Sequence, residues 1–231
     1  YYNGISHWGY PRNTFTGQES HKKEETKLFP YFLLDEDAKV AIIGSGGGKQ
    51  VGEALRSRIK DIYAVEIIPE VIDVLQNELN YYVDNVYNQP EVKVFKMDGR
   101  KFINESKEKF DLIHIPHTES TISTLKSAME VSSFIFTQDS FKEMREHLNE
   151  GGIIVIEKDL KDVRVDYRGI TFKQHYSQLK SLGFDTYGFL YRTYFQDLSK
   201  AKVENNYIDR NNISILAGSI IIAYKGEIKK G

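Results

Sequence analysis

"VAIIGSGGGKQVGEAL", Val40 to Leu55, sets an apolar run against a cluster of glycines and then a helix-like pattern. Val40 to Ile43 are consecutive apolar residues, as in a strand buried on both faces. Gly44, Gly46 and Gly48 follow with spacing G-x-G-x-G, and "KQVGEALRSRI" then reads as a helix. Glycine at such a turn permits positive φ and a close approach of backbone to a ligand. The helix behind it offers N–H groups at its start. An ordinary tight strand-to-helix turn is the plainer reading of the same residues.

The alternation continues outward. "DIYAVEI" reads as a second strand and "PEVIDVLQNELNYYVD" as a helix with Pro69 in its first turn. "VKVFKMD" is a third strand, "GRKFINES" a short helix and "FDLIHIP" a fourth strand. "TQDSFKEMREHLNEGG" has polar starters, helical spacing and a glycine stop, and "IIVIEK" is a fifth strand. "FKQHYSQLKSLGF" is a further helix, and "DTYGFLYRTYF" and "SILAGSIIIAYK" are two final strands. This order implies an α/β domain: a mostly parallel seven-stranded sheet with helices on both faces. Residues 1–30, rich in aromatic and polar residues, are expected to form an arm or lid, with short strands as one option, before a domain over 31–231.

Composition narrows the function classes. The 231 residues are 40% hydrophobic and 28% charged, with a formal net charge of −2. Neither nucleic acid nor an anionic membrane is drawn by such a balance. Cysteine is absent, which excludes disulfides and thiolate zinc sites and is compatible with a reducing cytoplasm, the expected compartment. The longest apolar stretch, Ile213 to Tyr224, is too short to span a bilayer as a helix. No secretory signal opens the chain, and a start at Tyr1 rather than Met reads as a trimmed chain or a piece of a longer one.

In parallel sheets ligands bind beyond the carboxyl ends of the strands. A dinucleotide site would carry G-x-G-x-x-G, and its last position here is Lys49. The spacing suits a nucleoside such as S-adenosylmethionine better than NAD, with Ser45 inside the loop. Glu66 ends the second strand, where an acid can accept both ribose hydroxyls, and Ile67 follows it. Asp98 ends the third strand and can accept the adenine amino group, with Gly99 leaving room for the ring. Asp98 is also placed to cap the next helix, and the two roles are compatible.

"EETKLFPYFL", "VAIIGSGGGKQ", "YAVEIIPEVIDV", "KVFKMDGRKFI", "FDLIHIPH" and "FIFTQDSFKEMREHLNEGGIIVIEK" together resemble the class I S-adenosylmethionine-dependent methyltransferase fold. More closely they are similar to its spermidine synthase-like branch, over roughly Glu24 to Lys158. That resemblance implies a Rossmann-like domain binding S-adenosylmethionine or a derivative.

Two departures bear on the reaction. Aminopropyltransferases carry an Asp in the glycine loop, where this chain has Gly47, and D-S/T-S/T-D after the fourth strand, where it has "IPHTES". A polyamine is a cation and calls for carboxylates. Lys49 suits the carboxylate of intact S-adenosylmethionine, or is a solvated lysine at a helix start. The expectation is therefore methyl transfer to a small-molecule acceptor. His117 is the candidate base and Glu119 its loop partner. His114, inside the strand, reads as core. Glu157, Tyr167 and Tyr10 are candidates to contact the acceptor, with Lys158 and Asp159 beside it and His7 and Trp8 in a lid. The alternatives are aminopropyl transfer from decarboxylated S-adenosylmethionine and a non-catalytic nucleoside-binding domain. No nucleic-acid partner, metal or membrane span is expected, and a homodimer is one expected assembly.

Overall fold

Strand and helix alternate along the chain as the sequence implies. The computed structural model describes residues 29–116, 134–159, 170–196 and 213–226. The strands are β1 (Lys39–Ile43), β2 (Asp61–Glu66), β3 (Val92–Lys96), β4 (Phe110–Pro116), β5 (Leu148–Asp159), β6 (Phe184–Gln196) and β7 (Ile213–Lys225). The helices are α1 (Lys49–Arg56), α2 (Pro69–Gln76), α3 (Gly99–Glu105), α4 (Gln138–Glu146) and α5 (Ile170–Ser181).

The seven-stranded sheet runs β3-β2-β1-β4-β5-β7-β6. The five strands from β3 to β5 are parallel, while β7 is antiparallel to both β5 and β6. The chain steps outward from β1 to β3 and then crosses back to β4. The order therefore reverses between β1 and β4, and the crevice beyond their carboxyl ends is where this architecture holds ligands. The glycine loop follows β1, so it faces that crevice.

Side-chain alternation along each strand feeds a core on each face of the sheet. Val40, Ile42, Ile62, Ala64 and Leu112 pack with Val51, Ala54 and Leu55 of α1 and with Ile72 and Leu75 of α2. Ala41, Ile43, Val65, Ile113 and Ile115 pack on the opposite face with Phe102 of α3 and Phe141 and Met144 of α4. His114 follows Leu112 by two residues, so it falls on the α1 face. Thr137 caps α4, its hydroxyl accepting from the Ser140 amide at 3.2 Å. Gly183, at φ +79°, follows the last turn of α5.

The helix expected through Asp84 is shorter in the structure. α2 ends at Gln76, whose carbonyl accepts from Asn88 Nδ2 at 2.8 Å. Two 3-10 turns, Asn80–Val83 and Val86–Asn88, follow, separated by Asp84 and Asn85 at φ 53° and 56°. Asn77 and the Asn80-to-Asn88 stretch favour local side-chain bonds over helix continuation.

Candidate functional site

The glycine loop is tied to the protein by its own amides. The Gly44 and Ser45 amides donate to the Val65 carbonyl at 2.8 and 2.9 Å, and the Gly48 amide donates to the Ser45 carbonyl at 2.9 Å. The Gly46 amide donates to Glu66 Oε2 at 2.9 Å. Gly44, Gly46 and Gly48 all have positive φ, at 80°, 48° and 82°. A pyrophosphate site aims several loop amides at its anion. Here those amides are taken internally.

Glu66 is central to that arrangement. It is 7% exposed, and its Oε1 accepts from the Ile68 amide at 3.0 Å while Oε2 takes Gly46. Burial pushes its carboxyl above the usual range, and the amides of Ile68 and Gly46 pull it partly back. Each carboxylate oxygen keeps a second lone pair at the tip of β2. Ile67 beside it is 45% exposed, an apolar surface at the same strand end.

The raised value has a sign that can be measured. Folding favours the acid form of Glu66, so its contribution is fully present below the ordinary carboxyl value. That contribution is lost as pH rises through the raised value. Urea unfolding across about pH 4–8 should show the native chain losing stability relative to Glu66→Gln as pH rises. Parallel stability curves would refute the assignment.

Asp98 caps α3, its Oδ1 accepting from the Lys101 amide at 2.9 Å. A Cβ on Gly99 would lie 2.2 Å from Ile43 Cγ2, so glycine is required there for α3 to approach the end of β1. Arg100 donates to Glu143 from Nε at 2.7 Å and from Nη2 at 2.6 Å, clipping the start of α3 to α4. Lys49 is 53% exposed and lies 3.9 Å from Glu53 one turn on, so its charge is partly matched within α1.

Sequence reasoning missed three participants. Tyr87 is 2% exposed, and its hydroxyl donates to the Gly46 carbonyl at 2.6 Å and lies 3.1 Å from Ser45 Oγ. Its contact with the loop spans forty-one residues, and no local pattern announces it. Tyr31 is fully buried and lies 3.0 Å from His114 Nδ1, whose Nε2 lies 3.2 Å from Glu157 Oε1. Glu53, on the inward side of α1, has its carboxyl raised by burial first and by the charge of Glu157 as well. The structure thus brings Gly44, Ser45, Gly46, Gly48, Glu66, Asp98, Gly99 and Glu157 to the carboxyl ends of the strands. His117, Glu119, Tyr167 and Tyr10, with His7 and Trp8, lie outside the described residues.

The sequence model of the family described as "Spermine/spermidine synthase domain" matches residues 19–212. The chain belongs to that family. It is 26% identical over 159 residues to the polyamine aminopropyltransferase of Korarchaeum cryptofilum, covering 65% of this chain and 47% of that one. It spans less than half the length of the curated relatives it matches. The fold is similar to the crystal structure of spermidine synthase from Thermotoga maritima, with a TM-score of 0.58 at 22% identity, covering 85% of this chain and 57% of that one. A precorrin-6y C5,15-methyltransferase from Geobacter metallireducens shares it too, with a TM-score of 0.55 at 14% identity, covering 85% and 84%.

The expectation of methyl transfer is corrected by the family match and by curated relatives that are aminopropyltransferases. The fold is common to both chemistries, so it could not decide between them. The methyl-transfer expectation rested on acids missing at two motif positions and on Lys49 as a partner for a carboxylate. In the structure Lys49 neighbours Glu53, and Glu53 and Glu157 reach the site end from α1 and β5. Among the described residues no helix is long and apolar enough to cross a membrane.

Proposed function

We propose that this chain carries the nucleoside-binding and group-transfer unit of an aminopropyltransferase, acting with decarboxylated S-adenosylmethionine and an amine acceptor. The observation that carries this reading is the placement of Glu157 at the tip of β5, 16% exposed and beside the crevice between β1 and β4. Membership of the family and the aminopropyltransferase names of the curated relatives support it.

The residues divide the work as follows. The glycine loop admits the nucleoside, Glu66 accepts from its ribose hydroxyls and Asp98 from its adenine amino group. Glu157 faces the cationic amine. The attacking nitrogen is the neutral form of one of the acceptor's amines, its ammonium proton having passed to solvent, and it attacks the aminopropyl carbon attached to the sulfonium. That C–S bond breaks, sulfur keeps the electron pair as methylthioadenosine leaves, and the new secondary amine is left as its ammonium form. Such an in-line displacement asks the protein chiefly for alignment and removal of water. Gly47, where aminopropyltransferases carry a loop acid, moves recognition of the donor's ammonium onto acids reaching the site from other elements.

Calorimetric titration with the intact and decarboxylated nucleosides, and mass spectrometry after addition of putrescine, test the reading. Tighter binding of the decarboxylated form and release of methylthioadenosine with spermidine are the expected results. Preference for intact S-adenosylmethionine, with no methylthioadenosine released, would overturn it. Binding without turnover would instead identify a nucleoside-binding unit without the transfer reaction, which Gly47 and the Asp-free "IPHTES" favour.

A further inference from the structure

Tyr31, His114 and Glu157 form a buried line from the start of α1 to the tip of β5. The Tyr31 hydroxyl lies 2.9 Å from the Gln50 carbonyl and 3.0 Å from His114 Nδ1. A carbonyl oxygen only accepts, so the single Tyr31 proton points at Gln50. The Tyr31 oxygen must then accept from His114, which places a hydrogen on Nδ1. Nε2, 3.2 Å from Glu157 Oε1, is left facing a second acceptor. That contact closes only with one further proton between the two atoms. Tyr31 and His114 are fully buried, so water cannot supply the missing donor.

We propose that Tyr31 and His114 are positioning residues that hold Glu157 for the acceptor amine, and that His114 and Glu157 share one proton. The inference rests on the aminopropyl-transfer reading for the identity of the acceptor, though the proton arrangement does not depend on it. Holding that proton, the pair is electrically neutral overall. Glu157 then orients the amine by hydrogen bonding and leaves removal of the amine's proton to another group. Burial, with the charges of Glu53 and Glu157, keeps the Tyr31 hydroxyl protonated well above its usual range, so the donor to Gln50 is retained. Among the described residues, Glu53 on α1 and Glu157 on β5 act on Tyr31, and Lys49 and Arg56 on α1 act on Glu53 in turn. The edge-on packing of the Tyr31 and His114 rings, 5.7 Å between centroids at 72°, fixes the imidazole plane.

Heteronuclear NMR of the full chain labelled at histidine and glutamate, with Tyr31→Phe and Glu157→Gln, reads the proton directly. In the native chain His114 should carry hydrogen on Nδ1, with Nε2 also protonated or Glu157 observed as the acid. Tyr31→Phe frees the ring to protonate Nε2 alone and face a carboxylate. An unprotonated Nδ1 in the native chain, or a singly protonated His114 ring beside an ionised Glu157, would overturn the proposal. With decarboxylated S-adenosylmethionine and putrescine, Tyr31→Phe and His114→Phe should raise the acceptor KM about ten- to a hundredfold, with nucleoside affinity unchanged. Adding His114→Phe to Glu157→Gln should cost nothing further, and additive losses would count against it. A native chain that shows the shared proton and no turnover would refute aminopropyl transfer alone.

Discussion

Gly48→Ala should destabilise the chain by about 2–4 kcal/mol and remove measurable nucleoside binding. Gly48 sits at φ +82°, where a side chain costs about 1–2 kcal/mol of strain. Its Cβ would also lie 2.8 Å from Val86 Cγ2 and 3.1 Å from Tyr87 Cε2. Val86 is fully buried and is presented by Asp84 and Asn85, consecutive residues in the left-handed region, so it has little freedom to retreat. Relief must come from the glycine loop itself, the surface proposed here to meet the nucleoside. Gly151→Ala supplies the control: its φ is +79°, yet no atom lies within 4 Å of its Cβ. Urea unfolding of both variants separates strain from contact, and calorimetry reads the loop. Equal losses at the two positions would mean that Val86 yields, and the close packing beneath the loop would not matter.

The parts of this fold that were legible in the sequence are those fixed over a few residues. Val40 to Ile43 read as a strand because every position is apolar, and the structure buries all of them. Thr137 and Pro69 announced helix starts by chemistry that acts within one turn. The antiparallel place of β7 between β5 and β6 was not legible, since it depends on pairs such as Glu157 with Ile220, sixty-three positions apart by numbering. Apolar alternation states that a strand exists and is silent on its neighbour.

The same distinction divides the site. The glycines, Glu66 and Asp98 lie directly at strand ends, so reading the strands placed them. His114 read as core because a histidine inside an apolar strand is most simply buried, and it is buried. Its partners are what the sequence concealed: Tyr31 lies eighty-three residues away and Glu157 forty-three. Methyl transfer was the wrong expectation for a related reason: acids are absent where the family motif carries them, whereas Glu53 reaches the site from a helix face and Glu157 from another strand. Charge in a crevice is a sum over elements, and a motif samples only one of them.

Tyr87 is where that non-local dependence has its largest expected consequence. Tyr87→Ala should cost about 3–5 kcal/mol, as for loss of a fully packed aromatic side chain. The ring lies under Gly48, within the buried cluster that contains Val86, Val51 and Ile72. Tyr87→Phe isolates the hydroxyl. Its proton goes to the Gly46 carbonyl at 2.6 Å, so Ser45, 2% exposed, is left to donate to the Tyr87 oxygen across 3.1 Å. Removing that oxygen strands a loop carbonyl and a buried serine hydroxyl at once, which should cost about 1–3 kcal/mol. Gly46 is also the residue whose amide Glu66 holds, so its peptide groups are pinned from two sides. Releasing one side lets the loop turn and should weaken nucleoside binding about tenfold, while Glu66 and Asp98 remain in place. Denaturant unfolding and calorimetry on the two variants check both effects. A phenylalanine variant with native stability and native affinity would show that the hydroxyl merely fills space. The loop would then be shaped by Glu66 and its own glycines alone.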